Sequence, residues 1–179
     1  MQYNRGFLLK LFVIFYFLKI VSSKVEFTNI NCTSWDPEFS DFEYCYLKSV
    51  NRSYKYMSLK VNLYKVPINV IKVNIAALKR FNGYKPFLYN ATVDACRFLK
   101  NPKSNPVFSY LHNMFRSFSN MNHTCPYNHD LVVEKLNTNF LNNHITSALP
   151  VPEGDYALQT SWFANNILRA TVLVSITLS

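Results

Sequence analysis

Apolar and polar side chains alternate with a period of two through most of this 179-residue chain. In residues 54–66, Met57 and every second residue up to Leu63 are apolar, whereas Ser58 and Lys60 fall on the opposite side. Such alternation is typical of a β-strand with one buried and one solvated face. The pattern therefore limits this chain to folds built mainly from half-buried strands.

The same alternation recurs in several runs that are separated by turn residues. Asn82-Gly83 and Asn165-Asn166 are typical of hairpin turns, and residues 51–53 form a third short connection. About seven to eight strands with regular turns predict an all-β fold, a β-sandwich. The predicted strands are 24–30, 42–50, 54–66, 69–79, 87–95, 156–164 and 167–178, with a further candidate at 130–136.

The period changes after Asn105-Pro106, where apolar residues follow helical spacing. Proline suits the first turn of a helix, so one short amphipathic helix is predicted at about 106–119. His112 falls on its polar side and is expected to be solvated. Residues 139–148 fit either a short helix or a loop.

The first 23 residues have the composition of a secretory signal peptide. Arg5 and Lys10 precede a mostly apolar run at 11–21, and Ser22-Ser23 provides small residues for cleavage. An uncleaved anchor is the alternative, but the run is shorter than the ~20 residues that span a bilayer. The prediction is a secreted, extracellular domain at 24–179, whose formal net charge falls from +9 to +6 when Arg5, Lys10 and Lys19 are removed.

The four cysteines all lie in the predicted mature part. An even number in an oxidising compartment predicts two disulfides, for which three pairings are possible. Cys32–Cys45 and Cys96–Cys125 are favoured because both close local loops. Zinc ligation is disfavoured because the sequence has no Cys-x-x-Cys pair.

Four Asn-x-Ser/Thr triplets indicate glycosylation of a secreted protein. The acceptors would be Asn31, Asn51, Asn90 and Asn122. The alternation places Asn90 on the outward face of its strand, where a glycan can be accommodated.

The residues do not form a recognisable catalytic motif. The histidines lack His-Glu-x-x-His spacing, and three glycines are too few for a phosphate-binding loop. His123 and His129 flank Cys125, so a cysteine nucleophile is conceivable, but a disulfide is the stronger interpretation. Asp94 could be a general base, although a hydrogen bond at the strand end is favoured. We expect no enzyme activity, no metal, no cofactor and, because the lysines are scattered, no nucleic-acid partner.

Aromatic residues are abundant, with fifteen Phe, twelve Tyr and two Trp. They could fill a core, or they could line a cavity if the two sheets splay apart. An apolar cavity needs no special chemistry from its lining. The predicted ligand-binding residues are Met57, Leu59, Val61, Leu63, Ile71, Val73, Ile75, Phe115, Phe118, Trp162, Val172 and Val174.

Several segments resemble a large insect family of secreted proteins of unknown function that includes the CheB chemosensory proteins. They are FTNINC at 27–32, YCYLKSVNR at 44–52, NGYKPFLYNATVDACRFLK at 82–100, MNHTCPYNHDLVVEKL at 121–136 and PEGDYALQTSWFANN at 152–166. That family is regarded as related to ganglioside-activator and ML lipid-recognition domains, which hold a lipid between two sheets. Cys32 looks like the early cysteine of ML domains, and Cys125-Pro126 looks like their Cys-Pro pair.

The resemblance implies an ML-like, immunoglobulin-like β-sandwich. It also implies a secreted protein that binds a lipid or another hydrophobic small molecule, in taste or pheromone perception or in lipid presentation. A membrane receptor or channel would then be a partner. The alternative is a secreted receptor co-factor or extracellular interaction protein with a solid core and no internal ligand.

Overall fold

The computed structural model describes residues 24–52, 54–148 and 152–179. The predicted signal peptide at 1–23 lies outside the described residues, as does Ser53 of the Asn51 triplet. The described residues contain eight strands in two antiparallel sheets, which confirms the predicted all-β class. The strands are β1 (Val25–Ser34), β2 (Ser40–Ser49), β3 (Lys55–Leu63), β4 (Ile71–Phe81), β5 (Gly83–Asp94), β6 (Leu131–Asn137), β7 (Gly154–Ala164) and β8 (Ile167–Leu178).

The two sheets differ in size and pack face to face. The larger sheet has the order β1-β8-β7-β4-β5, and the smaller sheet has the order β2-β3-β6. The core between them includes Phe27 of β1, Leu59 of β3 and Val172 of β8. The inward residues are the alternating apolar sets of the sequence, because side chains in a strand point to opposite faces in turn.

The predicted hairpin turns are present at Asn82-Gly83 and at Asn165-Asn166. Gly83 follows Asn82 with φ 97°, and Asn165 and Asn166 adopt φ 52° and 64° between β7 and β8. These left-handed conformations suit Gly and Asn better than other residues, which explains why a short turn forms at each site.

Two disulfides join the cysteines in the favoured pairs. Cys32–Cys45 links β1 to β2 and so ties one edge of the larger sheet to one edge of the smaller sheet. Cys96–Cys125 fastens the segment after β5 to the loop that leads into β6. The two sheets are therefore cross-linked at one edge and joined through the intervening segment at the other.

The helices of the described residues are α1 (Ala95–Lys100), α2 (Pro106–Asn113) and α3 (Thr138–Ala148). α3 matches the helical alternative for residues 139–148, whereas α1 and α2 differ from the prediction. The strand predicted to continue through Ala95 ends at Asp94, whose carboxylate accepts a 2.8 Å hydrogen bond from the Arg97 amide and so begins α1. This bond agrees with the favoured interpretation of Asp94.

The helix predicted at 106–119 is shorter than expected. Asn105 accepts a 3.0 Å hydrogen bond from the Phe108 amide and Pro106 opens the first turn, but α2 ends at Asn113. A short 3₁₀ turn, Arg116–Phe118, follows it.

The predicted solvation of His112 is wrong. His112 is only 8% exposed, and its ring lies edge-on to Phe98 of α1 and to Phe115. Its Nε2 atom is 2.9 Å from the Met121 carbonyl oxygen. The helix is buried on two sides because the chain folds back over it, which single-face periodicity does not predict.

The outward face of β3 is also less solvated than the alternation suggests. Ser58 is fully buried, with 0% exposure, and Tyr56 is 8% exposed. The Ser58 hydroxyl accepts a 2.9 Å hydrogen bond from the Lys135 amide and lies 3.3 Å from a Glu134 carboxylate oxygen. A bulge between β3 and β6 brings these groups over Ser58.

Candidate functional site

A cavity of about 330 Å³ lies between the two sheets. β3 forms one wall, β7 and β8 form the opposite wall, and α2 and α3 close part of the side. The alternation correctly predicts the inward residues of β3, β7 and β8. On β8, Ala170, Val172, Val174 and Ile176 all line the cavity.

Most of the residues predicted from the sequence come together around this cavity. They are contributed by both sheets and by the segment after α2. The predicted residues in the lining are Met57, Leu59, Val61, Leu63, Ile71, Ile75, Phe115, Trp162, Val172 and Val174.

Val73 and Phe118 lie outside the lining of this cavity, contrary to the prediction. Val73 shares a face of β4 with Ile71, but α1 and α2 pack over it, and it lines a separate space of about 50 Å³ with Phe98 and His112. Phe118 lies in the 3₁₀ turn, where its ring contacts Phe140 of α3 at a centroid distance of 4.9 Å. The helical segment thus separates both side chains from the main cavity.

Some lining residues were missed at the sequence level. Tyr156, Leu158 and Ile176 follow the alternation of β7 and β8, so the same rule would have found them. Phe39 and Met121 also line the cavity but lie outside the strands. Their positions depend on how the loops fold, for which periodicity gives no signal.

The Tyr110, Tyr156 and Thr160 hydroxyls and the Trp162 indole bond within the protein, whereas the buried Arg169 Nε has no hydrogen-bond partner in the part of the chain that the structure describes. The Trp162 indole nitrogen donates to the Thr160 hydroxyl at 2.9 Å. The Tyr110 hydroxyl donates to the His144 carbonyl at 2.9 Å, and the Tyr156 hydroxyl donates to the Pro152 carbonyl at 2.6 Å. An occupant therefore meets mainly apolar surface.

Arg169 is the charged side chain in the lining, at the end of the sandwich near Phe39. Its guanidinium carbon lies 4.0 Å from the centroid of the Phe39 ring, a cation–π contact. The guanidinium also donates to the Asp36 carboxylate. These contacts neutralise the charge and cover this end with an aromatic ring.

The cavity opens beside Leu88 of β5. Leu88 lines the cavity and is nevertheless 81% exposed, so its side chain stands where the cavity meets solvent. Its φ of 62° is unusual for leucine. The pairing of β4 with β5 is interrupted here: Ala76 pairs with Asn90, but Leu78 pairs with Pro86. Exposure still alternates from Phe87 to Asp94, so Leu88 lies on the outward face of β5 and also borders the cavity.

The cysteine-histidine group suggested by the sequence has a different arrangement. The Cys125 sulfur is engaged in a disulfide, and the described residues include no free cysteine. His123 and His129 contact each other, with 2.7 Å between their Nε2 atoms, and Tyr127 stacks on His123 at a centroid distance of 4.3 Å. Cys125 therefore has no thiol to act as a nucleophile.

The four candidate glycan acceptors are accessible. Asn31, Asn51, Asn90 and Asn122 are all exposed. Glycosylation at these positions stays a prediction.

The fold and the site define a two-sheet antiparallel β-sandwich with an apolar internal cavity. Residues 73–158, from β4 to β7, match the profile of a family described as a protein of unknown function, DUF1091. No curated protein sequence matches the chain. Among solved structures, the chain is similar to a Niemann-Pick type C2 protein from the Japanese carpenter ant, with 13% identity and a TM-score of 0.32. The match covers 86% of this chain and 90% of that chain.

Proposed function

We propose that this protein binds and carries one apolar small molecule or lipid in the cavity between its sheets, without catalysing a reaction. The observation that carries this proposal is the 330 Å³ cavity, whose walls are apolar. The volume falls in the range of about 300–1,000 Å³ that is typical of small-molecule sites.

The cost of leaving the cavity empty supports an occupant. Side chains that face an unfilled space lose dispersion contacts with neighbouring atoms. Because the cavity meets solvent at Leu88, its apolar wall is left in contact with water unless an apolar molecule covers it. A bound apolar molecule would restore much of the missing packing.

The wall chemistry favours a hydrocarbon chain over a polar ligand. Tyr110, Tyr156 and Thr160 use their hydroxyls within the protein, so a polar ligand would lose most of its hydrogen bonds to water without replacement. The exception is the buried Arg169 Nε, which has no hydrogen-bond partner among the described residues and can donate a hydrogen bond to one ligand oxygen. Each methylene that enters the cavity contributes about 0.8 kcal/mol before the cost of association. Hydrocarbons, fatty acid derivatives and the acyl chains of glycolipids fit this requirement.

The finer part of the proposal is a secreted carrier with a chemosensory role. The signal-like residues 1–23 and the two disulfides support export, because disulfides persist in oxidising compartments. The resemblance to the insect family that includes the CheB proteins supports a role in taste or pheromone perception. The carrier would deliver its ligand to a membrane receptor or channel.

The alternative is a secreted receptor co-factor or interaction protein that has no internal ligand. That function needs no cavity, and a packed core would suit it. The cavity between β3 and β8 is the observation that favours the carrier.

The test is to express the protein in insect cells, purify it from the medium and identify bound molecules by native mass spectrometry and organic extraction. Val174→Phe narrows the cavity between the sheets without adding a polar group. Val132→Phe is the matched control, because Val132 lies on β6 outside the lining. We expect the wild type and Val132→Phe to carry one apolar molecule and Val174→Phe to lose it.

Protein that stays empty after exposure to hydrocarbons, fatty acids and glycolipids would refute the carrier function and favour the interaction protein. Equal occupancy of all three proteins would show that the ligand binds elsewhere.

A further inference from the structure

The β4–β5 hairpin extends beyond the rest of its sheet. β7 pairs with β4 from Ile71 to Lys79, and the hairpin then continues as two strands alone, with Arg80 opposite Tyr84. Residues 80–86 are all exposed. Residues 80–86 therefore form a two-stranded projection at one end of the sandwich. The segment 79–88, here called the basic hairpin, consists of this projection and the residues at its base.

The basic hairpin exposes three large apolar or aromatic side chains. Phe81 is 61% exposed, Tyr84 is 38% exposed and Leu88 is 81% exposed. Because Tyr84 pairs with Arg80, Phe81 lies on the opposite face of the hairpin from Tyr84, and each face carries an exposed aromatic ring. Large exposed apolar side chains on one projection mark an interaction site. Aromatic rings with an apolar body and a polar edge are favoured at the boundary between lipid and water.

Positive charge accompanies these side chains. Lys79, Arg80 and Lys85 lie in the basic hairpin, and the sequence has no Asp or Glu from residue 71 to residue 93. An Asp155 carboxylate oxygen is 3.7 Å from an Arg80 guanidinium nitrogen, and the exposed Glu153 precedes it at the end of β7 that pairs with Lys79. Three basic residues exceed these two acidic residues, so this end of the sheet keeps a net positive charge.

The projection is continuous with the cavity mouth. Phe87 and Leu88 line the cavity, and the Lys79 amine lies 5.5 Å from the Phe87 ring centroid and 5.0 Å from that of Tyr156. The Lys79 amine thus lies over the aromatic rings at the rim of the cavity mouth, at the end of the sandwich that carries the exposed hairpin. A partner that contacts the basic hairpin also contacts the opening.

We propose that the basic hairpin docks on a lipid bilayer that contains anionic headgroups, with the cavity mouth facing the membrane. Phe81, Tyr84 and Leu88 enter the interface, and the basic side chains pair with the headgroups. Apolar burial and attraction to anionic lipid together determine how strongly an amphipathic surface binds a bilayer. Docking goes beyond the carrier function and does not depend on it.

The test is flotation of the purified protein with vesicles of phosphatidylcholine, with or without phosphatidylserine. We expect binding to the vesicles that contain phosphatidylserine and weaker binding as salt shortens the screening length from about 10 Å at 0.1 M to about 3 Å at 1 M. Arg80→Gln and Lys85→Gln should each weaken the partition about fivefold. Lys65→Gln, an exposed lysine beyond the end of β3, is the charge control and should leave the partition unchanged.

Leu88→Asn tests the apolar contribution without threatening the fold, because asparagine tolerates the positive φ of this position. It should weaken the partition by about tenfold, given the apolar area that a leucine buries. Ile167→Asn is the matched control, since Ile167 is 54% exposed and begins β8 at the opposite end of the sheet.

Three results would overturn the docking proposal: no binding to anionic vesicles, equal binding to neutral vesicles, or unchanged binding of the hairpin variants. A hairpin that serves a protein partner instead would give the first result. Native mass spectrometry of the same samples reports the cavity ligand separately. An empty protein that still docks would refute the carrier function and leave docking supported.

Discussion

The His112 imidazole and the Met121 carbonyl form a buried hydrogen bond, with 2.9 Å between Nε2 and the oxygen. The bond joins α2 to the chain that folds back over it, and the ring lies among aromatic side chains. A neutral imidazole can donate this bond from Nε2. The charge state of one histidine is thereby coupled to the packing of the helical segment against the sheet.

Burial lowers the pKa of His112 from its usual 6.5, and the nearby Arg116 acts in the same direction, while the bond to Met121 opposes them. The unfolded chain therefore binds a proton more readily than the folded protein. The contribution of neutral His112 to the free energy of unfolding is complete above pH 6.5, the pKa of the unfolded chain. It is lost as the pH falls from 6.5 through the lower pKa of the folded protein.

We expect His112→Gln, which can still donate to Met121 but does not titrate, to lose this part of the pH dependence. The measurement is urea unfolding of the wild type and the variant at about pH 7 and about pH 5. Equal changes in the free energy of unfolding for the two proteins would contradict the expected role of His112.

Leu88 adopts a left-handed backbone conformation that costs a residue with a branched side chain about 1–2 kcal/mol. Leu88→Asn should raise the free energy of unfolding by about 1 kcal/mol, because asparagine tolerates φ of 62° and the leucine is too exposed to lose much burial. Leu88→Val should lower it, since β-branched residues fit this region poorly. Thermal or urea unfolding checks both, and a loss of stability in Leu88→Asn would mean that the exposed leucine makes a larger contact than its burial indicates.

The disulfides close loops of different length. In the loop-entropy description, Cys96–Cys125, with a sequence separation of 29, contributes roughly 3.6 kcal/mol, and Cys32–Cys45, with a separation of 13, contributes roughly 2.9 kcal/mol. Replacing both cysteines of one pair by serine should therefore be more destabilising for Cys96–Cys125. Urea unfolding of the two double variants gives the comparison, and the reverse order would show that native packing outweighs loop entropy.

Ser58 satisfies the Lys135 amide in a site without solvent access. Ser58→Ala removes that acceptor and leaves a buried amide unpaired, which should cost about 1–3 kcal/mol of unfolding free energy. Ser49→Ala is the matched control, because Ser49 is exposed at the end of β2 and surface changes usually stay within about 0.5 kcal/mol. Similar values for the two variants would mean that the Lys135 amide finds another partner.

The strands and much of the cavity wall could be predicted because period-two alternation is a local property. Val172 and Val174 of β8 point inward for the reason that the sequence suggests. The alternation also places Leu88 on the outward face of β5, where it is exposed. Its contact with the cavity could not be predicted, because the left-handed backbone at Leu88 and the irregular pairing of β5 with β4 give no signal in the sequence. The alternation identifies the two faces of a regular strand. An irregularity of the backbone such as a bulge determines which side chains of a face reach the cavity.

The helical segment explains the remaining differences. Val73 and His112 are far apart in sequence, yet α1 and α2 pack against β4 so that both line the smaller space and neither is solvated. Asp94 was considered as a strand-end hydrogen-bonding residue, but the helix that it begins was not predicted. Periodicity within one element cannot show which surfaces of two elements cover each other.

The Cys32–Cys45 disulfide joins the two sheets along one edge of the sandwich, through β1 and β2. The opposite edges, β5 and β6, are bridged by residues 95–130, which include α1 and α2. The width of the cavity between the two sheets is therefore determined by how residues 95–130 pack, while the strands can stay unchanged. We expect substitutions in the bridge to alter the length and girth of the molecules that fit inside without altering the sheets.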